Sequence, residues 1–190
     1  IIDATCPLVH EIHHEVKKIA ADGRQIIIIG DHGHDEVVAI ANQVEGSIVI
    51  SSPSEAIKLR KIKKAGLVSQ STQMIENVQE IINILMEKVF DLHFVNTICY
   101  PTKRNHEQIK LLALENDVMI IIGSFTSANS KRLAELSSER NINSHQVTCA
   151  DDLNKMWFKN KESVGISAGA STPDYLIEEV KLKIEEYVRK

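Results

Sequence analysis

One internal repeat constrains this chain more than any other feature of its sequence. Residues Ile26 to Glu36 read I-I-I-I-G-D-H-G-H-D-E, an apolar run that stops at Gly30 and delivers two histidines and three acids within six residues. Residues Val118 to Asn129, V-M-I-I-I-G-S-F-T-S-A-N, follow the same plan. From Gly30 to Gly123 the offset is 93 residues, and a cysteine precedes each glycine by 24 residues, Cys6 in one copy and Cys99 in the other. Short, wholly apolar, β-branched runs are the pattern of strands buried on both faces of a parallel sheet. At the same offset His34 falls on Ser127 and Glu36 on Asn129. Equivalent positions of two repeated units therefore hold groups able to bind an anion or move a proton. The expectation is one shared functional surface, with His34 and Glu36 facing Ser127 and Asn129 across a crevice floored by Cys6 and Cys99.

Around these runs, helical and strand patterns alternate. Leu8, Val9, Ile12, Val16 and Ile19 recur at helical spacing between Pro7 and Gly23, which predicts a helix over 7–21 with proline in its first turn. The first unit continues with strand 26–29, helix 35–43, strand 47–50, helix 54–64, strand 66–69, helix 74–90 and strand 93–95. The second runs helix 101–115, strand 118–122, helix 127–138, strand 145–148, a short helix over 151–157 and strand 164–167. A last helix follows Ala168-Gly169-Ala170, with Ser171 or Thr172 as N-cap and Pro173 at its first position. The fold class is α/β: two small repeated units, 1–97 and 98–190, each with a short, mostly parallel sheet flanked by helices.

Charge and composition remove several function classes. A net charge of −4 and a pI near 6.1 lack the basic footprint that nucleic acid or an anionic membrane selects. The local exception, K-L-R-K-I-K-K at Lys58 to Lys64, reads as the solvated face of a short helix. No apolar run approaches the roughly 18–20 residues that span a bilayer, and no signal-peptide layout opens the chain. Three cysteines, an odd number, suit a reducing compartment, and the chain reads as cytosolic. It opens at Ile1 without a methionine, on what looks like a strand end, as a fragment would.

In open α/β sheets, ligands bind beyond the carboxyl ends of strands. The turns at 30–36, 69–72, 123–129 and 168–172 occupy that position, and their hydroxyls, amide, histidine and helix N–H groups suit a phosphate or diphosphate. Cys6 stands at a helix N-terminus, where backbone N–H groups favour a thiolate. Two such cysteines are too few for an ordinary four-ligand site, and Cys149 has no counterpart at the offset. His10, His13 and His14, set among Glu11, Glu15, Lys17 and Lys18, read as a solvated helix face. His32 and His34 flank Gly33, so that one can face the crevice and the other solvent, and Glu36 is close enough to His34 to form a proton-transfer pair.

Six collinear motifs resemble one known family, the 4-hydroxy-3-methylbut-2-enyl diphosphate reductases, iron–sulfur enzymes that close the non-mevalonate isoprenoid pathway. They are D-A-T-C-P-L-V at Asp3 to Val9, G-H-D-E-V at Gly33 to Val37, S-Q-S-T at Ser69 to Thr72, T-I-C at Thr97 to Cys99, S-A-N-S-K-R-L at Ser127 to Leu133, and A-G-A-S-T-P at Ala168 to Pro173. The resemblance implies three α/β units about a pseudo-threefold axis, of which this chain matches the second and third. It implies Cys6 and Cys99 as ligands of a 4Fe–4S cluster, the third cysteine belonging to the unmatched N-terminal unit, without which this chain alone is expected to be inactive. It further implies His34, Ser127, Asn129 and Ser171 as diphosphate ligands, Glu36 in proton delivery, and Ser71 or Thr72 as the relay hydroxyl. The partners implied are a small diphosphate substrate and an external electron donor such as ferredoxin or flavodoxin, with no nucleic acid and no membrane. Three positions depart from the family pattern: Ser71 where Q-T-T is usual, Ala128 in place of a second serine, and Asn105-His106 in place of an Arg-Gln pair. The alternatives are a phosphate-ester binding module without redox chemistry and a non-catalytic iron–sulfur sensor.

Overall fold

The computed structural model describes residues 5–188, so Asp3 and Ala4 of the first motif, and the strand end read at Ile1, lie outside the described residues. The chain divides into two compact units, Ile1–Tyr100 and Pro101–Lys190. No helix among the described residues is long and apolar enough to cross a membrane.

In the first unit the order is α1 (Pro7–Ala21), β1 (Gln25–Ile29), α2 (Asp35–Ala41), β2 (Ile48–Ile50), α3 (Pro53–Lys58), β3 (Ile62–Ser69), α4 (Ile75–Met86) and β4 (Val89–Phe94). The strands form one parallel sheet in the order β2-β1-β3-β4. The isoleucine run of β1 explains the layering, because successive side chains of a strand point to opposite faces. Ile26 and Ile28 pack with Ile12, Val16 and Ile19 of α1 and Val37 and Ile40 of α2. Ile27 and Ile29 pack with Ala56 of α3 and Val78, Ile81 and Leu85 of α4. All four are essentially inaccessible to solvent, and full burial of such a side chain is worth about 1.5–3 kcal/mol. A strand with no polar face is stable only between two helical layers, and that is where β1 lies.

The second unit repeats the plan with α5 (Tyr100–Glu115), β5 (Val118–Ile122), α6 (Ala128–Ser138), β6 (Ser144–Val147), two 3₁₀ turns (Ala150–Asp152 and Lys155–Phe158), β7 (Val164–Ala168) and α7 (Asp174–Val188). Its parallel sheet has the order β6-β5-β7. Val118, Ile120 and Ile122 pack with Val147, Phe158 and the α7 residues Val180 and Ile184. The 93-residue offset carries β1 onto β5 and the start of α2 onto that of α6. Hydrogen bonds repeat with it. Gly30 N–H donates to Ile50 O at 3.0 Å and Gly123 N–H to Val147 O at 2.9 Å, while Gln70 N–H donates to Ile29 O at 2.8 Å and Gly169 N–H to Ile122 O at 2.9 Å.

Four elements differ from the sequence expectation. Lys58 to Lys64 is not a helix face: α3 stops at Lys58, Leu59 is extended, and Ile62–Lys64 open β3. The Lys88 ammonium takes the Ile57 and Leu59 carbonyls that end α3, and Ile62 N–H pairs with Lys88 O, so the chain turns into the sheet. For the same reason α4 ends at Met86 rather than Phe90, because Val89 pairs with Ile62 as the first residue of β4. The short helix expected over 151–157 is two 3₁₀ turns. Finally, α7 begins at Asp174, after Pro173, and the Thr172 hydroxyl donates to Ile122 O instead of capping the helix.

Gly30 is required by space. A Cβ there would lie 2.5 Å from Val37 Cγ2 on α2, and one at Gly123 would strike the Ser130 hydroxyl on α6 at the equivalent place. We expect Gly30→Ala to destabilise the unit by about 1–3 kcal/mol through overpacking. In a denaturant double-mutant cycle with Val37→Ala the two losses should be less than additive; strict additivity would mean that the close approach is not what selects glycine.

Candidate active site

The chain leaves β1 toward β2 on one side and returns to β3 on the other, so the carboxyl ends of β1 and β3 form a topological switch point, where loops diverge and leave a ligand crevice. Two polar turns meet there. Ser69 and Gln70 are fully buried. Gln70 Oε1 accepts the Asp31 N–H at 2.9 Å and its Nε2 donates to Thr72 Oγ1 at 2.9 Å, which ties the turn after β1 to the turn after β3. Glu36, half-buried in the first turn of α2, is held at both oxygens by one residue: Ser71 N–H donates to Oε1 at 2.6 Å and Ser71 Oγ to Oε2 at 2.8 Å. Of the two hydroxyls that the sequence left open, Ser71 touches Glu36 and Thr72 serves Gln70.

His34 is the N-cap of α2, its Nδ1 accepting the Glu36 N–H at 3.2 Å. In the neutral ring the proton then sits on Nε2, which has no protein partner among the described residues and can donate to an anion. His32 goes elsewhere: its exposed Nε2 pairs with Glu55 Oε2 at 2.8 Å. The Ser51 N–H, and then His32, hold the Glu55 carboxyl below its usual range.

The T-I-C segment is stitched to the same place. Thr97 Oγ1 accepts the Ser69 N–H at 2.8 Å and donates to Ser69 O at 2.5 Å, Ile98 is buried, and Cys99 N–H donates to Ser71 O at 2.9 Å. Cys99, half-buried, is thus one hydrogen bond from the residue that grips Glu36. Cys6 caps α1 through its carbonyl, which accepts the Val9 and His10 N–H groups, while its exposed thiol makes no capping bond. Among the described residues no three His, Cys, Asp or Glu side chains assemble into a metal site. The two thiols suit part of a ligand set, not a whole one.

In the second unit Ser127 is the N-cap of α6, its Oγ accepting the Ser130 N–H at 3.3 Å. Asn129, in the first turn of the helix, has a buried Nδ2 with no hydrogen-bond partner. A buried amide donor left unpaired is costly, and it suits a bound anion. Ser171 is exposed in the turn after β7, where Gly169 keeps the backbone close to α6, since a Cβ there would strike the Ser130 hydroxyl. Ala128 contributes no hydroxyl.

Several contributors were not foreseen. Gln70 and Thr97 act on backbone atoms distant in sequence, which no local pattern announces. Of the α1 histidines, His10 and His14 are exposed as expected, but His13 is half-buried, with Nε2 wholly buried and unpartnered. The repeat held the signal, because the offset of 93 also carries His13 onto His106, which is buried in α5. Cys149 caps a 3₁₀ turn and joins neither set of loops.

Comparison with known proteins decides the family. The sequence profile of the LytB protein family matches residues 1–185. This chain belongs to the LytB family. Among LytB relatives, a Geobacter sulfurreducens protein named 4-hydroxy-3-methylbut-2-enyl diphosphate reductase is 40% identical over 191 residues, spanning 100% of this chain and 68% of its own length. An Aquifex aeolicus protein of the same name is 37% identical over 190 residues, spanning 98% of this chain and 66% of its own. Two solved structures align over 97% of this chain. One, the reductase described as the terminal enzyme of the non-mevalonate pathway, is 38% identical with a TM-score of 0.59 and is covered over 67% of its length. The other, the Plasmodium falciparum reductase, is 28% identical with a TM-score of 0.88 and is covered over 59%. This chain therefore spans about two thirds of the length of the curated LytB relatives it matches.

The hydrogen bonds rank the supports of these turns. Thr97→Val strands the Ser69 N–H and carbonyl and should cost about 1–3 kcal/mol. Ser71→Ala leaves Glu36 its amide donor and should cost about 0.5–1.5 kcal/mol. Thermal unfolding of the two variants measures the order, and a costlier Ser71→Ala would contradict it.

Proposed function

We propose that this chain carries the proton-delivery and diphosphate-binding groups of a reductase that converts (E)-4-hydroxy-3-methylbut-2-enyl diphosphate to isopentenyl and dimethylallyl diphosphates. The family membership supports the reaction class, and the two hydrogen bonds between Ser71 and Glu36 support the residue roles. In the net reaction the allylic C–OH bond breaks, two electrons and two protons enter, and water leaves. When bound, a 4Fe–4S cluster held in part by the thiolates of Cys6 and Cys99 supplies the two electrons, replenished by an external one-electron donor such as ferredoxin or flavodoxin.

The side chains have defined tasks in this reading. Protonated Glu36 gives its proton to Ser71 Oγ while the Ser71 hydroxyl proton moves to the departing hydroxyl, so the leaving group is water rather than hydroxide. The Ser71 N–H remains on the carboxylate and holds it in line for the next transfer. His34 Nε2–H, Ser127, Asn129 Nδ2 and Ser171 each donate to a diphosphate oxygen, and fixed donors lose less freedom on binding than mobile lysines do. Gln70 and Thr97 touch no substrate atom. They keep the turns after β1 and β3 in register and so hold Ser71 against Glu36.

Anaerobic reconstitution, with iron and sulfide, of the full-length protein that carries these two units together with the N-terminal unit tests these roles. Cys6→Ser and Cys99→Ser should each lose the visible absorption of the cluster. Glu36→Gln should keep that absorption and lose turnover by about 10²–10⁴-fold, the range of a positioned acid. Undiminished turnover in Glu36→Gln would remove Glu36 from proton delivery.

A further inference from the structure

The lysine-rich stretch that opens β3 lies at the amino end of its sheet, away from the polar turns at the carboxyl end. Ala56 to Lys64 holds five basic residues and no acidic one, in a chain whose net charge is −4. All five are exposed. Lys64 stands opposite Asp91 in the pairing of β3 with β4. Among the described residues the side chains of Lys58, Arg60, Lys61 and Lys63 have no hydrogen bond or ion pair. Elsewhere in the unit Arg24 pairs with Asp22 and Asp91, and Lys18 with Glu15.

Beside these cations lies uncovered apolar surface. Lys61 and Lys63, two residues apart and so on one face of the chain, line a groove with Met86, Lys88 and Phe90, where α4 turns back into β4. Phe90 is 91% exposed and Met86 67%. Lone exposed apolar side chains are ordinary, but apolar surface gathered in a groove with a polar rim marks an interaction site. The groove holds about 540 Å³, within the range that accepts a ligand or the side chains of a docking segment. Glu87 is the one acid among its described lining residues.

Charge and shape together select the occupant. The protein's net negative charge opposes a bilayer or a long nucleic acid over its whole extent. A short acidic segment feels mainly the local cations, because the Debye length is about 8 Å at physiological salt. A flat bilayer does not reach the floor of a groove, and nucleic-acid strands stack successive bases on several aromatic rings where this groove offers one.

We propose that the groove at the amino ends of β3 and β4 docks an acidic segment of a partner protein, with its carboxylates on Lys61 and Lys63 and an aliphatic side chain against Phe90 and Met86. From Ile62 to Ser69 the strand rises roughly 20 Å, so a partner docked there leaves Ser71 and Glu36 open. The proposal does not rest on the reductase reading.

Fluorescence anisotropy reads the docking without turnover, using a labelled synthetic peptide of glutamates interrupted by single leucines, titrated with the full-length protein. The peptide should bind saturably at low salt and more weakly as salt rises. Lys61→Glu combined with Lys63→Glu should weaken binding about tenfold or more. Phe90→Ser, which changes no charge, should weaken it about tenfold through lost apolar burial. All three side chains are exposed, so both variants keep the fold. Absence of saturable binding, or binding that either variant leaves unchanged, overturns the proposal. Tighter binding to phosphatidylserine vesicles or to single-stranded RNA than to the peptide also overturns it, by naming a different occupant.

Discussion

The site depends on parallel pairing carried one residue past the ends of the central strands. Gln70 N–H to Ile29 O, and Gly169 N–H to Ile122 O, extend the pairing of β3 with β1 and of β7 with β5 beyond the last regular pair. That extension is possible because the residues after β1 and β5 are Gly30 and Gly123, which let Val37 of α2 and Ser130 of α6 close onto the sheet. A side chain at either glycine would push its helix away and take the first turn of α2 or α6 with it. Glu36 and Asn129, the residues in those turns, are the two on which the functional reading rests.

From that constraint the chemistry follows in short steps. With Gln70 fixed, Ser71 comes next in the chain and can give both its N–H and its hydroxyl to Glu36. With Ser71 fixed, its carbonyl receives the Cys99 N–H, so the cysteine and the carboxylate share one support. A carboxylate gripped by two donors from one residue loses little freedom when it transfers a proton, and the hydroxyl among those donors is a ready conduit. The second unit repeats the same frame with other side chains in it. There the turns carry Ser127, Ser171 and the unpartnered Asn129 amide, groups that donate to an anion but hold no proton to deliver at neutral pH.

Much of this was legible in the sequence where one physical requirement overrode the rest. Four consecutive isoleucines admit only a strand buried on both faces, and Pro7 with Gly23 bounds α1 at each end. The lysine-rich start of β3 was not legible, because K-I-K-K alternates in a way that suits a short helix and a strand equally, and the deciding partner, Lys88, lies on another segment. Likewise the apolar spacing of α4 runs on into Val89 and Phe90, and only pairing with β3 ends the helix. Within the site, the repeat singled out Cys6 and Cys99 by position, whereas Glu36 falls on Asn129 and its link to Ser71 is seen only in the fold. The choice between adjacent Ser71 and Thr72 was not readable, since it turns on which hydroxyl faces α2 and which faces Gln70. His13 was readable in principle, through its match to His106, but its charged neighbours on α1 masked it.

The central claim is that Ser71, held against Glu36 by the extended pairing of β1 and β3, conducts the proton that turns the departing hydroxyl into water. The most direct measurement is the single-turnover rate of the cluster-reconstituted full-length protein, N-terminal unit included, with either hydroxyl removed. Ser71→Ala should slow the step by about 10²–10⁴-fold, whereas Thr72→Ala, which loses only the bond to Gln70, should stay within about tenfold of the unsubstituted protein. A fast Ser71→Ala beside a slow Thr72→Ala would contradict the account.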